Sequence, residues 1–233
     1  MKKYLILLAS GTGTRFGADC PKQFIKICGK MIIEHTMASC DCGVFDEIIL
    51  VVSGPYVDQM KRVVLSNKYK VPVRVVEGGN SRIESCGRGV AVIGDKDAIV
   101  IVHNGVQPFI GKKSFDNCIA ALGKYSAVTC GVKCVYTVLV TNEDGVLLST
   151  PDRSKMYSDM GPEGFRLNML RKVVEIGMKD SVSTNLCGVV FRNSLAEVCV
   201  ADGEPGNIKI TFPEDITLAK QILNNKRRAG NGQ

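Results

Sequence analysis

No apolar run in the 233-residue chain reaches the length of a bilayer-spanning helix, which excludes a helical membrane protein and points to a soluble one. The opening Met1-Lys2-Lys3-Tyr4-Leu5-Ile6-Leu7-Leu8-Ala9-Ser10 resembles a signal peptide only faintly. Its apolar core is short and merges into a glycine loop, so a buried first strand is the better reading. Metal-type cysteine spacing is lacking too. None of the ten cysteines forms a Cys-x-x-Cys pair, only Cys40 and Cys42 lie close, and two histidines, His35 and His103, give little from which to build a zinc site. Cysteines in apolar runs, such as Cys130, Cys187 and Cys199, then read as reduced core packing in a cytoplasmic protein. A basic stripe interleaved with aromatics is also missing. The net charge of +7 owes three units to Lys226, Arg227 and Arg228 near the C-terminus, leaving about +4 for the body, which favours a small phosphorylated ligand over nucleic acid.

What is present is a regular alternation. Apolar, β-branched runs recur at Leu5 to Ala9, Ile48 to Val52, Val73 to Val76, Ala98 to Val102 and Ala127 to Val132, with amphipathic stretches between most of them. That pattern predicts an α/β fold with a mostly parallel sheet flanked by helices, and the length suits one domain over residues 1–224. Helices are expected at Ile32 to Cys40, from the capping-box spacing Ser81-Arg82-Ile83-Glu84 to about Ile93, at Phe165 to Met178, and from Thr211-Phe212-Pro213-Glu214-Asp215 to about Leu223. Short strands are expected at Gly188 to Phe191 and Asn207 to Thr211. Residues 133–157 alternate loosely, turn at Asn142-Glu143-Asp144-Gly145 and return, which predicts a protruding β-hairpin arm with a second subunit as its natural support. Residues 225–233 read as a polar, disordered tail.

The chemistry concentrates behind the first strand. Ser10-Gly11-Thr12-Gly13-Thr14-Arg15-Phe16-Gly17 and the following Pro21-Lys22-Gln23 combine close backbone approach with two positive charges, as a triphosphate cradle requires. The glycine spacing is not the dinucleotide fingerprint, and no Gly-Lys-Ser/Thr follows. In open α/β sheets ligands bind at the strand ends, so this loop, the Ser81 helix start and the loop after Val102 are expected to converge there.

Five motifs together resemble the cytidylyltransferases that act on 2-C-methyl-D-erythritol 4-phosphate and their relatives that act on ribitol 5-phosphate. They are Ala9-Ser10-Gly11-Thr12-Gly13-Thr14-Arg15, Pro21-Lys22-Gln23-Phe24, Gly29 to Thr36, Gly78-Gly79-Asn80-Ser81-Arg82, and Asn207 to Asp215. The resemblance implies a Rossmann-like nucleotidyltransferase domain that dimerises through the arm. It also implies a reaction in which an acceptor phosphate attacks the α-phosphorus of CTP, with Mg2+, and expels pyrophosphate. Arg15, Lys22 and Lys209 would be the catalytic cations; Ala9, Ser10, Gly11, Gly13, Gly79, Asn80, Arg82 and Ser85 would bind CTP. Arg153 would reach from the arm into the partner's acceptor site, where Asp180 is a further candidate.

The chain also departs from the family pattern. Where the family carries His-Asp-Ala-x-Arg-Pro, this chain reads His103-Asn104-Gly105-Val106-Gln107-Pro108. Asn104 is a poorer magnesium ligand than the aspartate it replaces, and Gln107 cannot neutralise an acceptor phosphate. Cys134 and Val135 stand where an acidic residue and a threonine are expected at the base of the arm. The acceptor, a methylerythritol or sugar-alcohol phosphate, is therefore the open half of the reading. Its competitors are a CTP-binding homologue impaired in catalysis and a sugar-1-phosphate nucleotidyltransferase.

Overall fold

Strand β1, Lys3–Ala9, is apolar on both faces, as a strand covered from both sides must be. The computed structural model describes residues 1–11, 20–179 and 185–230. After β1 come the short pair β2 (Lys26–Ile27) and β3 (Lys30–Met31), then α1 (Ile32–Cys40), β4 (Glu47–Val52), α2 (Val57–Ser66), β5 (Val73–Glu77) and α3 (Arg82–Ala91). The second half runs through β6 (Ile99–Asn104), α4 (Lys112–Ala121), β7 (Ala127–Lys133), β8 (Val140–Thr141), β9 (Leu147–Ser149) and β10 (Tyr157–Arg166). It closes with α5 (Leu167–Gly177), α6 (Leu186–Arg192), β11 (Val198–Asp202) and α7 (Asp215–Gly230).

Seven strands form one sheet in the order β11, β7, β10, β6, β1, β4, β5. Its pairings are parallel except at β10, which runs antiparallel to both β6 and β7. Side chains alternate across the pleat. Leu5 and Leu7 point into a layer with Met37 of α1, Met60 of α2 and Phe115 of α4, while Ile6 and Leu8 join Ile83 of α3, Val173 of α5 and Val189 of α6. Each fully buried Leu or Ile in these layers contributes about 1.5–3 kcal/mol, which is what fixes β1 at the centre.

The parallel sheet, its flanking helices and α1 match the expectations. Four segments differ. Gly188 to Phe191 is helical within α6, because Asn185 caps it by accepting from the Gly188 amide at 2.7 Å and Leu186, Val189 and Val190 bury one helical face. Residues 207–211 join no ladder; Ile210 N donates once, to Val106 O, and Asp215 takes the Thr211 and Phe212 amides as the start of α7. The first two residues expected in α5, Phe165 and Arg166, instead end β10. The last helix runs past Leu223 to Gly230, into the stretch expected to be a disordered tail. Ala219, Ile222 and Leu223 pack on a third cluster with Phe109, and one turn on Lys226 lies 5.6 Å from the Phe109 ring centroid, extending that stripe.

The stretch from Lys133 to Tyr157 carries the short antiparallel pair β8 and β9, with Asn142 bonding the Asp144 and Val146 amides across the turn. It exposes Val135, Tyr136, Leu139, Leu147 and Leu148.

Candidate active site

The site is built on the carboxyl ends of β1, β5 and β6. Where β1 ends, Gln23 is buried and its amide donates to Ala9 O at 2.7 Å and Gly11 O at 2.8 Å, bracing the entry to the glycine loop from below. Gly78, after β5, lies so close to this loop that a Cβ there would come within 2.6 Å of Ser10 Cβ. Ser85, fully buried on α3, ties the two segments together. Its hydroxyl is 2.7 Å from Ser10 Oγ and accepts from Gly79 N at 3.0 Å. Ser81 caps α3 by accepting from Glu84 N, and the Glu84 carboxylate turns back to the Asn80 amide rather than to the cap residue itself.

These segments enclose a cavity of about 490 Å³ whose wall holds Ser10, Gly11, Gly79, Asn80 and three cations, Lys22, Arg82 and Lys209. Among the described residues no carboxylate lines it. The start of the ten-residue α3 adds its own positive end at the Gly79 to Arg82 side. A cavity whose described wall holds Lys22, Arg82, Lys209 and a helix start, and no described acid, suits a polyanion.

A second cavity of about 170 Å³ adjoins the first and shares Arg82, Asn104 and Lys209 with it. Its chemistry is different. Asp159, Glu163, Gln107 and Asn185 line it, the two acids delivered by β10, whose pairing with β7 shifts register between Asp159 and Glu163. Glu163 is only 3% exposed and accepts from Arg82 Nη2 at 2.9 Å and from Cys187 N at 2.8 Å. Arg82 also donates to Asn104 Oδ1, and the Asn104 amide nitrogen donates to Gln107 Oε1. The Gln107 amide is anchored in turn on Met160 O and Asn207 O. Below them His103 is buried edge-on to Phe115, with Nε2 on Gln107 O, and burial pushes its pKa down to about 4. Three buried polar atoms among the described residues lack a partner: Arg82 Nε, His103 Nδ1 and Asn207 Oδ1. Arg82 and His103 line this cavity, and Asn207 bonds its wall at Met160.

The Asn104 contact also decides how a magnesium ion fits. The amide oxygen offered to it already accepts from a guanidinium, which repels a dication, and no group of three or more His, Cys, Asp or Glu among the described residues could hold a metal. The residues present do not fit a protein-held ion at Asn104.

Of the residues singled out in the sequence, Ala9, Ser10, Gly11, Lys22, Gly79, Asn80, Arg82, Asn104 and Lys209 come together around the first cavity, and Gln107 lines the second. Ser85 stands behind the wall rather than in it. Arg153 lies in the 133–157 stretch, bonded to Val135 O, outside both cavities of its own chain. Gly13, Arg15 and Asp180 lie outside the described residues. Glu163 and Asp159 escaped the sequence reading, although a Gly-Pro-Glu step beside a strand is the kind of local irregularity that marks a re-aimed side chain.

A mostly parallel α/β sheet with a cation-walled pocket at its strand ends and a second polar pocket opening off the first suits a nucleotidyltransferase. The chain belongs to the family described as IspD, 2-C-methyl-D-erythritol 4-phosphate cytidylyltransferase, whose model matches residues 4–225. It is accordingly a CTP-dependent cytidylyltransferase. A 2-C-methyl-D-erythritol 4-phosphate cytidylyltransferase from Clostridium novyi is 32% identical over 226 residues, covering 96% of this chain and 97% of that protein. The bifunctional ribulose 5-phosphate reductase/CDP-ribitol pyrophosphorylase Bcs1 of Haemophilus influenzae is 30% identical over 227 residues, 95% of this chain and 48% of that longer protein. Among solved structures, the 4-diphosphocytidyl-2C-methyl-D-erythritol synthase of Anaerococcus prevotii matches with a TM-score of 0.83 at 28% identity, covering 96% of this chain and 98% of that one. The family match displaces the sugar-1-phosphate alternative.

Proposed function

We propose that the chain transfers CMP from CTP to a polyol phosphate. The acceptor's phosphate oxygen forms a bond to the α-phosphorus while the bond from that phosphorus to the bridging oxygen breaks, and pyrophosphate leaves. The observation that carries this reading is the pairing of cavities: a polyanion pocket and a smaller polar pocket meeting at Arg82, Asn104 and Lys209. Lys22 and Lys209 offset the charge of two phosphorylated reactants and of the transition state between them, and the Gly79–Asn80 segment lines the cavity on the side of the base. Arg15 joins the cations and Gly13 the cradle, while Asp180 belongs to the acceptor side. Any magnesium ion would be carried by the triphosphate, since Asn104 Oδ1 is engaged by Arg82.

The chain acts as a homodimer. The support is the arm, where Tyr136 is 83% and Leu148 64% exposed, a surface that a second copy would cover while its Arg153 reaches this chain's acceptor site. All ten cysteines are free, as suits a reducing, cytoplasmic setting, and among the described residues no helix is long and apolar enough to cross a membrane.

The relatives name both methylerythritol and ribitol chemistry. The test is pyrophosphate release from CTP with methylerythritol, ribitol, erythritol and glycerol phosphates. Turnover with one of them fixes the acceptor; turnover only with another nucleotide overturns the cytidyl assignment. CTP binding by calorimetry without turnover on any acceptor identifies the impaired homologue, a reading that the clasp of Arg82 on Asn104 favours.

A further inference from the structure

We propose that Asp159 selects the acceptor, by taking a hydroxyl at the end of the polyol away from its phosphate. This rests on the polyol-phosphate reading of the same site. Asp159 lines the second cavity on the far side of the register shift in β10. It is held in one orientation: Oδ1 accepts from Thr129 Oγ1 at 2.9 Å and Gly161 N at 3.1 Å, and Oδ2 accepts from Asn185 Nδ2. A carboxylate has about four lone-pair sites, so three are filled and one on Oδ2 is left for an incoming donor. Among the described residues no ion pair within 4 Å includes Asp159.

The other unsatisfied groups around this cavity ask mostly for the same thing. His103 is neutral, and since Nε2 faces the Gln107 carbonyl it carries the ring proton, which leaves Nδ1 as an acceptor. Asn207 Oδ1, behind the wall, is an acceptor as well, and among the buried polar atoms of the described residues Arg82 Nε is the single unpartnered donor. A phosphate dianion supplies lone pairs and no O–H, and beside Asp159 and Glu163 it is repelled. A hydroxyl supplies both a proton and a lone pair. The two ends of the acceptor therefore sort themselves: the phosphate stays at the junction, beside Arg82 and Lys209 and next to the nucleotide, and the hydroxylated end points to Asp159. An acceptor with a carboxylate or a second phosphate at that end is refused.

The experiment compares the polyol phosphate turned over fastest with its aldonate counterpart, in which the terminal CH2OH is a carboxylate. The wild type should show a KM about 100-fold higher for the aldonate. Asp159→Asn and Asp159→Ala should each raise KM for the polyol about tenfold, leave kcat and the calorimetric Kd for CTP within about threefold, and shrink the aldonate penalty at least about tenfold. Thermal melting and CTP binding report that the variants are folded. An unchanged aldonate-to-polyol ratio in both variants, with CTP turnover intact, overturns the role of Asp159 and leaves the proposed function standing. Absence of turnover with every acceptor in the wild type overturns the proposed function and this inference with it.

Discussion

Replacing Glu163 by glutamine tests how the two cavities are held apart. The carboxylate is almost fully buried, 2.9 Å from a guanidinium whose side chain is 28% exposed. At that separation and an effective dielectric near 20, the gross attraction is about 6 kcal/mol. Desolvation of the carboxylate takes back part of it, and water reaching Arg82 screens more, so the expected loss for Glu163→Gln is about 2–3 kcal/mol, at or below the usual cost of orphaning one member of a buried pair. The Cys187 amide keeps an acceptor in glutamine, which confines the effect to Arg82. With a urea m-value of about 2–3 kcal/mol/M, the unfolding midpoint should fall by about 1 M. Affinity for CTP should not fall, because the variant releases Arg82 from its competing anion while Arg82 still lines the nucleotide cavity. A free energy of unfolding within about 0.5 kcal/mol of wild type, or a tenfold loss of CTP affinity, would refute the reasoning.

Lys22→Ala should lower kcat by about 10²–10³-fold with the fold unchanged by circular dichroism, and near-normal turnover would remove it from the catalytic set. Gln23→Ala strips a donor from two carbonyls at the mouth of the glycine loop and should cost about 1–3 kcal/mol in denaturant unfolding while raising KM for CTP. His103 has its pKa lowered from 6.5 to about 4 in the folded chain, so above pH 6.5 neither state is protonated and it costs nothing. As pH falls from 6.5 to 4, the unfolded chain takes up a proton the native one refuses, and stability drops by an amount on the order of 3 kcal/mol. His103→Gln should flatten that part of the curve between pH 7.5 and 4.5, and an unchanged acid loss would show that other groups carry it. Tyr136→Asp with Leu147→Asp should convert the protein to a monomer by sedimentation equilibrium and, if Arg153 serves the partner's site, lower acceptor turnover in parallel.

The elements that could be read in advance are those in which period and burial agree. β1 and α1 fall where their apolar patterns place them, because each faces a layer that rewards that period. Gly188-Val189-Val190-Phe191 misleads because its β-branched pair suits a strand, while the deciding signals are a cap three residues earlier and a face that repeats at i, i+3 and i+4. That residues of the first cavity come together was legible because they are consecutive in short motifs. The second cavity was not. Asn104 and Gln107 stand out in the sequence as lost charges, but that Arg82 clasps one and Glu163 answers Arg82 depends on β10 lying antiparallel between β6 and β7, with its register broken at one place. Nothing in the local sequence states which strands are neighbours.

β10 itself carries a consequence for how the molecule is wired mechanically. Its first residues, Tyr157 and Ser158, pair with the end of β7 at the root of the arm, and its last, Glu163 to Arg166, are gripped on both edges in the middle of the sheet. One strand of ten residues thus joins the exposed 133–157 stretch to the carboxylates of the second cavity. A force applied at the arm has no loop in which to dissipate before it reaches the register break beside Asp159, which is the first point along the strand free to yield. Whatever covers that stretch pulls on the same strand that carries Asp159 and Glu163, and amide exchange between those two residues is where such a pull would be read.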